Sequence, residues 1–509
     1  MKGFGLIEKE ENQSQSDHSY RQILKATSLI GGSSLINMGI GMIRTKFVAV
    51  LLGPSGVGLI GVYGAITGMI STISGMGIGS SGVRQIAEAH GSGDEDRIAR
   101  TLKTLRRTVW LTGCLGMMIM ILGCAFLSRS SFGATNHAIP IALLGITILL
   151  GNIASGQSCL MQGTRRIGDI AWVSIIGALN GTAISIPCFY FWGQNGIVPS
   201  LILTAVAALT TSWWFARRIA VKPVIMSWME SREDAIKLLR LGVPLMLAGL
   251  MTTLSSYLIR VLLIRQVGLD GVGIWQAAFS LSGVLVNFVL GAMGTDYYPR
   301  LTTVSHDDRL VNEAVNAQTE IAILLAVPGL AATIIFAPAA ISIFYSGKFD
   351  AAVDILRWSI YGVFGRVISW PLGYIMLAKG MGQTFFWSEI FANAFHVAAI
   401  WFCTRLWGMP GTGMAFFLLY TVYTIVVYII GYVVSRTTWT WANQIHIFAF
   451  GVLLAIVGLI SALVINPWHQ YTANLILLLM ASVYCLWRLS KKSGFGFHAL
   501  RATNWTKRK

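Results

Sequence analysis

Apolar residues occupy this chain in blocks of about 20, separated by short polar or glycine-rich breaks. An α-helix of about 20 apolar residues crosses roughly 30 Å of hydrocarbon, so each block is a predicted membrane span. Fourteen spans are predicted, at 24–51, 57–80, 108–128, 138–160, 170–192, 196–216, 238–266, 271–294, 319–345, 353–378, 384–405, 410–434, 443–465 and 471–489. Ser, Thr, Asn and Gly interrupt several of them, and such polar faces must meet other helices or water rather than lipid.

The break between the first two spans, "LLGPSGVGLIGVYGAI" (51–66), returns as "QVGLDGVGIWQAAF" (266–279) between the seventh and eighth. A shift of 215 residues lays Gly53, Gly56, Val57 and Gly58 on Gly268, Gly271, Val272 and Gly273, and Gly79 on Gly294. With a three-residue gap, "DEDRI" (94–98) falls on "HDDRL" (306–310). Each copy opens a block of six spans, 24–216 and 238–434, with two spans left over. Six is even, so both blocks insert in the same orientation, an arrangement found in parallel-repeat transporters. The predicted fold is an all-α polytopic membrane protein with two pseudo-symmetric six-helix lobes, 20–222 and 223–436, and an extra helix pair at 437–490. A polar tail (1–19) and a basic tail (491–509) flank them. The first tail lacks an apolar h-region, so no cleaved leader is expected.

Composition narrows the class. Charged residues make up 12% of the chain, about half the share in soluble domains. The net charge of +17 does not mark a nucleic-acid binder, because the cations sit at the ends of apolar blocks rather than in a stripe on a soluble domain. Of 38 Lys and Arg, 29 fall on the side that carries both termini and four on the other, so both termini are expected in the cytoplasm. In the cytoplasmic stretch 93–107, Ile98, Leu102 and Leu105 share a helical face, and Asp94 is placed to cap its start. The stretch reads equally as a helix lying among anionic inner-leaflet lipids or as a solvated linker. The six cysteines lie in apolar blocks without C-x-x-C spacing and read as packing thiols. Gly77-x-Gly79-x-x-Gly82 copies the dinucleotide fingerprint but ends a span and follows no strand. With no H-E-x-x-H or P-loop either, neither metal nor cofactor is expected.

Four helices carry polar stripes at helical spacing: Ser33, Asn37, Gly41 and Arg44; Tyr63, Thr67 and Ser71; Thr252, Ser256 and Arg260; Gln276, Ser280, Gly283 and Asn287. Any one Ser or Thr is ordinarily a packing residue. Four stripes in corresponding helices of two repeats predict a shared aqueous cavity. Arg44, Lys46, Arg260, Arg357 and Arg366 fall inside spans, against Glu389 as the one clearly internal carboxylate. Each such cation facing lipid would cost about 2.5–3.5 kcal/mol, so the excess of positive charge implies an anionic guest. Candidate substrate contacts are these five cations with Asn37, Gln276 and Asn287. Glu389 and His396 share a face with Asn393 and are candidates for ion coupling, the histidine reading otherwise as a hydrogen-bonded packing residue.

Three segments, "LGPSGVGLI" (52–60), "MQGTRRIGDIA" (161–171) and "FYSGKFDAAVDILRW" (344–358), resemble the Wzx-type flippases of O-antigen and related polysaccharide repeat units. These belong to the multidrug/oligosaccharidyl-lipid/polysaccharide exporter superfamily. The resemblance extends in hydropathy over nearly the whole chain from residue 20. It implies two lobes in a V shape, alternating access, and a cationic cavity for an undecaprenyl-diphosphate-linked oligosaccharide moved from the cytoplasmic to the periplasmic leaflet of the bacterial inner membrane. It also implies a transporter rather than an enzyme, with polysaccharide polymerase or chain-length machinery as partners. Family members often have twelve spans, and the fourteen predicted here depart from that pattern. Two other functions fit the class. An ion-coupled drug exporter of the same superfamily calls for acidic cavity residues, the reverse of this set. A membrane-embedded glycan polymerase or ligase needs a broad outer surface, whereas the longest outer breaks are 129–137 and 346–352.

Overall fold

The computed structural model describes the backbone over residues 4–464 and 466–493, and side chains from residue 31 to 492 except 285–289, 292, 294, 295 and 465. Thirteen α-helices are present among the described residues; ten of the fourteen predicted spans fall within one of them, 57–80 runs from the first helix into the second, and 196–216, 319–345 and 443–465 overrun theirs by one or two residues. Among the described residues, eleven helical stretches are long and apolar enough to cross a membrane. Three of these, Gly31–Gly75, Ile167–Ala216 and Trp228–Val284, are 45, 50 and 57 residues long. At 1.5 Å per residue each is long enough for two crossings, and each contains a break.

Two of those breaks are the repeated turn. Helix α1 (Phe4–Gly75) changes direction at Gly53, with φ 67° and ψ −170°, and α7 (Trp228–Thr303) does so at Gly268, with φ 75° and ψ −179°. This torsion region is open essentially to glycine alone. The internal repeat is therefore carried by one backbone conformation used twice, each time joining two spans into a single bent helix.

Packing divides the chain into two compact units. The first runs to Tyr257 apart from Val57–Leu59, and the second comprises Val57–Leu59 and Leu258 onward. The division falls inside α7, because its first arm packs with the helices before it. Tyr257 hydrogen-bonds Ser130 and Ser131 at 2.9 and 3.0 Å. A Cβ added at Gly77 would lie 2.0 Å from the carbonyl oxygen of Gly242. The Gly77-x-Gly79-x-x-Gly82 motif is thus a packing device: at Gly82 a Cβ would press on Leu105 at 2.9 Å.

The first unit contains α1, α2 (Ile78–Gly91), α3 (Glu95–Phe132), α4 (Ala138–Gly163), α5 (Ile167–Trp192) and α6 (Ile197–Ala216). Asp94 caps α3 by accepting from the amides of Asp96 and Arg97, as Asp307 caps α8 (Asp308–Phe344). The 93–107 stretch is continuous with its span and is not a separate helix lying in the leaflet. Leu102 and Leu105 are buried with Ile78, Ile86, Val109 and Leu160, so the apolar face meets protein. Two of its cations hold the segment before α7: Lys103 donates to the carbonyl of Val224 at 2.7 Å, and Arg107 donates to those of Ser227 and Met226 at 2.8 and 3.0 Å.

The second unit continues with α8, α9 (Ala352–Ala378), α10 (Gly382–Trp407), α11 (Pro410–Ser435), α12 (Trp441–Leu463) and α13 (Pro467–Ser493). Its core gathers Tyr297, Leu301, Val311, Val315, Leu372, Ile375, Met376 and Val427. The last two helices dock on α8 through a buried polar seam. Asn443 donates to the carbonyl and side chain of Asn316, both at 2.9 Å. The nearly buried Glu320 accepts from Arg488 at 3.1 Å and from Lys492. Leaving Glu320 unpaired at that depth would be costly, so the seam fixes the pair to this unit.

Candidate functional site

In the first unit the polar stripe on the first arm of α1 faces α5. Asn37 donates to Ser174 Oγ at 2.6 Å. Seven residues on, the Arg44 guanidinium lies against Gly181, where an added Cβ would be 3.5 Å from it. The same seven-residue step separates Ser174 from Gly181, so the two helices share one polar seam two turns long. Arg44 is half-buried, and among the described residues no carboxylate pairs with it. Lys46 is also half-buried, about 200° around the helix from Arg44. The stripe on the second arm of α1 is spent on packing. Tyr63 bonds His137 Nδ1 at 2.9 Å, and Thr67 bonds back to the carbonyl of Tyr63. Burial holds the His137 imidazole below its usual range, which suits a neutral ring beside that hydroxyl.

The second unit brings together five of the candidates. Arg260 is 9% exposed. It donates to Gln276 Oε1 at 2.5 Å across the bend of α7, and Gln276 in turn donates to Ser280 at 3.0 Å. The Arg260 guanidinium lies over Trp275, 5.1 Å from its ring centre. From there a run of aromatic rings continues through Phe279 (5.1 Å), Phe416 (5.7 Å) and Tyr420 (4.9 Å). Arg366 stands 5.8 Å from the centre of the Tyr420 ring. Tyr423 follows Tyr420 and donates to Glu389 Oε1 at 2.9 Å. His396 packs on Phe416, 5.8 Å between ring centres, and makes no hydrogen bond to Glu389. Arg260, Gln276, Arg366, Glu389 and His396 therefore lie along one connected path.

Arg357 lies elsewhere. It pairs loosely with Asp354 at 3.8 Å, which removes it from the set of uncompensated cations. Both border a cavity of about 750 Å³ that also meets Trp358, Phe364, Phe417 and Leu454 on α9, α11 and α12. The side chain of Asn287 lies outside the described residues. The sequence reading missed Trp275, Phe279, Phe416, Tyr420 and Tyr423. Its signal was present in the i, i+4, i+7 spacing of Phe416, Tyr420 and Tyr423, but aromatic stripes in apolar helices ordinarily mean packing alone.

A guanidinium on an aromatic face is only partly compensated. Arg260 and Arg366, both set on rings, bring two guanidinium groups to membrane depth. Such a site favours an anion with oxygens able to take the planar fork of arginine.

Residues 23–305 match the family model described as polysaccharide biosynthesis protein. The chain is 24% identical over 411 residues to the Lipid III flippase of Escherichia coli K12, covering 79% of this chain and 96% of that protein. It is 20% identical over 404 residues to the lipopolysaccharide biosynthesis protein WzxC of the same organism, covering 78% of each. Among solved structures, the fold is similar to the lipid II flippase MurJ in an inward closed conformation, with a TM-score of 0.68 and 12% identity over 91% of this chain and 99% of that one. It is also similar to an inward-facing multidrug transporter of the MATE family, with a TM-score of 0.66 and 18% identity over 84% and 98%.

Proposed function

The chain belongs to the polysaccharide biosynthesis protein family, and on that premise we propose that it is a flippase for an undecaprenyl-diphosphate-linked oligosaccharide. It is a multi-pass inner-membrane protein, a transporter and not an enzyme. It carries its substrate from the cytoplasmic to the periplasmic leaflet by alternating access, with 20–222 and 223–436 as the two moving lobes. One observation carries the reading: two arginines at membrane depth, Arg260 and Arg366, rest on a run of aromatic rings with a single carboxylate, Glu389, at its far end. A diphosphate satisfies that charge. A cationic drug does not, which disfavours the exporter reading.

In this account Arg260, Arg366 and Arg44 bind the diphosphate in turn, with Asn37, Gln276 and Asn287 as hydrogen-bonding neighbours and Lys46 adding to the positive field. The apolar cavity along α9, α11 and α12 suits hydrocarbon, with Arg357 at its border. The first helix of the last pair, α12, thereby gains a role in holding the prenyl tail. Glu389, with His396 on the same helix, is the group for ion coupling. Arg97, Arg100 and Arg106, exposed on the cytoplasmic extension of α3, are placed to meet anionic lipid headgroups. Deleting the gene should cause one lipid-linked glycan to accumulate on the inner leaflet, with loss of the corresponding surface polysaccharide. An unchanged lipid-linked pool overturns the function.

We also propose that both termini and the segment 81–107 face the cytoplasm, following the distribution of Lys and Arg. A reporter active only in the periplasm, fused after Lys509, should be silent. Activity there reverses the orientation.

A further inference from the structure

Arg366 and Glu389 carry opposite charges on neighbouring helices, since α10 packs against both α9 and α11. Tyr420 on α11 is within electrostatic reach of both. Yet the two do not pair: Arg366 stands over the Tyr420 ring at 5.8 Å, and the Glu389 carboxylate accepts from the Tyr423 hydroxyl at 2.9 Å. Attraction between unit charges grows as the surroundings lose water, so the default outcome for two long side chains here is a closed ion pair. Such a pair would cancel the cation that the proposed substrate needs.

We propose that Tyr423 is a positioning residue that keeps Glu389 off Arg366 and so leaves the guanidinium available to an anionic guest. The inference rests on the flippase reading and adds a residue to it. Tyr423 supplies the restraint because its hydroxyl donates to the carboxylate and its ring is anchored beside Tyr420, 6.3 Å between centres. Asn393 leaves Glu389 to Tyr423, since its amide donates to the backbone carbonyl of Glu389 at 2.8 Å and not to the carboxylate. His396, on the same helix, is turned to Phe416.

The test uses the purified full chain in lipid nanodiscs and undecaprenyl diphosphate as the probe, with Kd read by thermophoresis. Tyr423→Phe should weaken binding by about tenfold, the scale of coupling expected of one close charge pair. Glu389→Gln alone should bind at least as tightly as the natural protein, because no carboxylate competes. The double variant Tyr423→Phe/Glu389→Gln should return to within about twofold of Glu389→Gln. A purely structural tyrosine gives no such rescue. Unchanged binding in Tyr423→Phe, weaker binding in Glu389→Gln, or a double variant as weak as Tyr423→Phe each overturn the proposal. Arg366→Ala separates the two levels of failure: if it binds the probe as the natural protein does, the cationic seat is wrong and the proposal falls with it.

Discussion

Arg366→Ala abolishes flipping, and Arg366→Lys keeps part of it. Arg366 is fourteen residues from the start of α9 and twelve from its end, roughly 20 Å and 18 Å at 1.5 Å per residue. No snorkelling side chain spans that distance. Holding a cation there against lipid would cost about 2.5–3.5 kcal/mol, and the structure sets it over the face of Tyr420. No carboxylate pairs with it among the described residues. Folding therefore gains little from this charge, and alanine should leave expression and thermal unfolding in detergent unchanged. Transport should fall by about a hundredfold or more, since truncating one member of a desolvated charge contact costs about 2–5 kcal/mol. Lysine keeps the charge but loses the planar fork that takes two phosphate oxygens at once. The readout is lectin access to lipid-linked glycan on the outer leaflet of spheroplasts. Full activity in Arg44→Ala, Arg260→Ala and Arg366→Ala alike overturns the cationic path.

The spans, the two bends, the Asp94 cap and the buried cations were legible in the sequence, because each is a local feature. Hydropathy depends on neighbouring residues, a cap on three positions, and the repeat on two glycine turns that resemble each other. What the sequence hid depends on distant partners. Leu102 and Leu105 sit at helical spacing whether their face meets lipid or protein, and only the packing of α2 and α4 decides between them. Glu320 is the second residue of the predicted span 319–345 and passed without notice; its partners Arg488 and Lys492 come 168 and 172 residues later. Likewise the aromatic run draws its rings from α7 and α11 and its arginines from α7 and α9, so no single stripe announces it. Asp354 is the exception. It lies three residues from Arg357, at ordinary helical ion-pair spacing, and the pair was there to be read.

Gly268→Ala should cost more than tenfold in flipping, and Gly53→Ala distinctly less. Both glycines hold nearly the same torsions, φ 75° and 67°, and an added Cβ meets nothing within 4 Å at either. The strain is therefore conformational, about 1–3 kcal/mol at each site. That strain is relieved if the bend relaxes toward a straight helix, and here the two units differ. Arg260 and Gln276 are sixteen residues apart, yet their side chains meet at 2.5 Å. On a straight helix they would lie about 24 Å apart. Relaxing the bend at Gly268 thus separates Arg260 from its hydrogen-bond partner and from Trp275, which begins the aromatic run. In the first unit the contacts of Asn37 and Arg44 are made to α5, by the arm before Gly53, and they survive a change in the angle beyond it. Gly64→Ala, on the same helix with no positive φ and no atom within 4 Å of the added Cβ, is the control and should transport normally. Flipping assays paired with thermal unfolding distinguish loss of the site from loss of the fold. Gly268→Ala with undiminished transport would show that the bend does not need to hold Arg260 on Gln276.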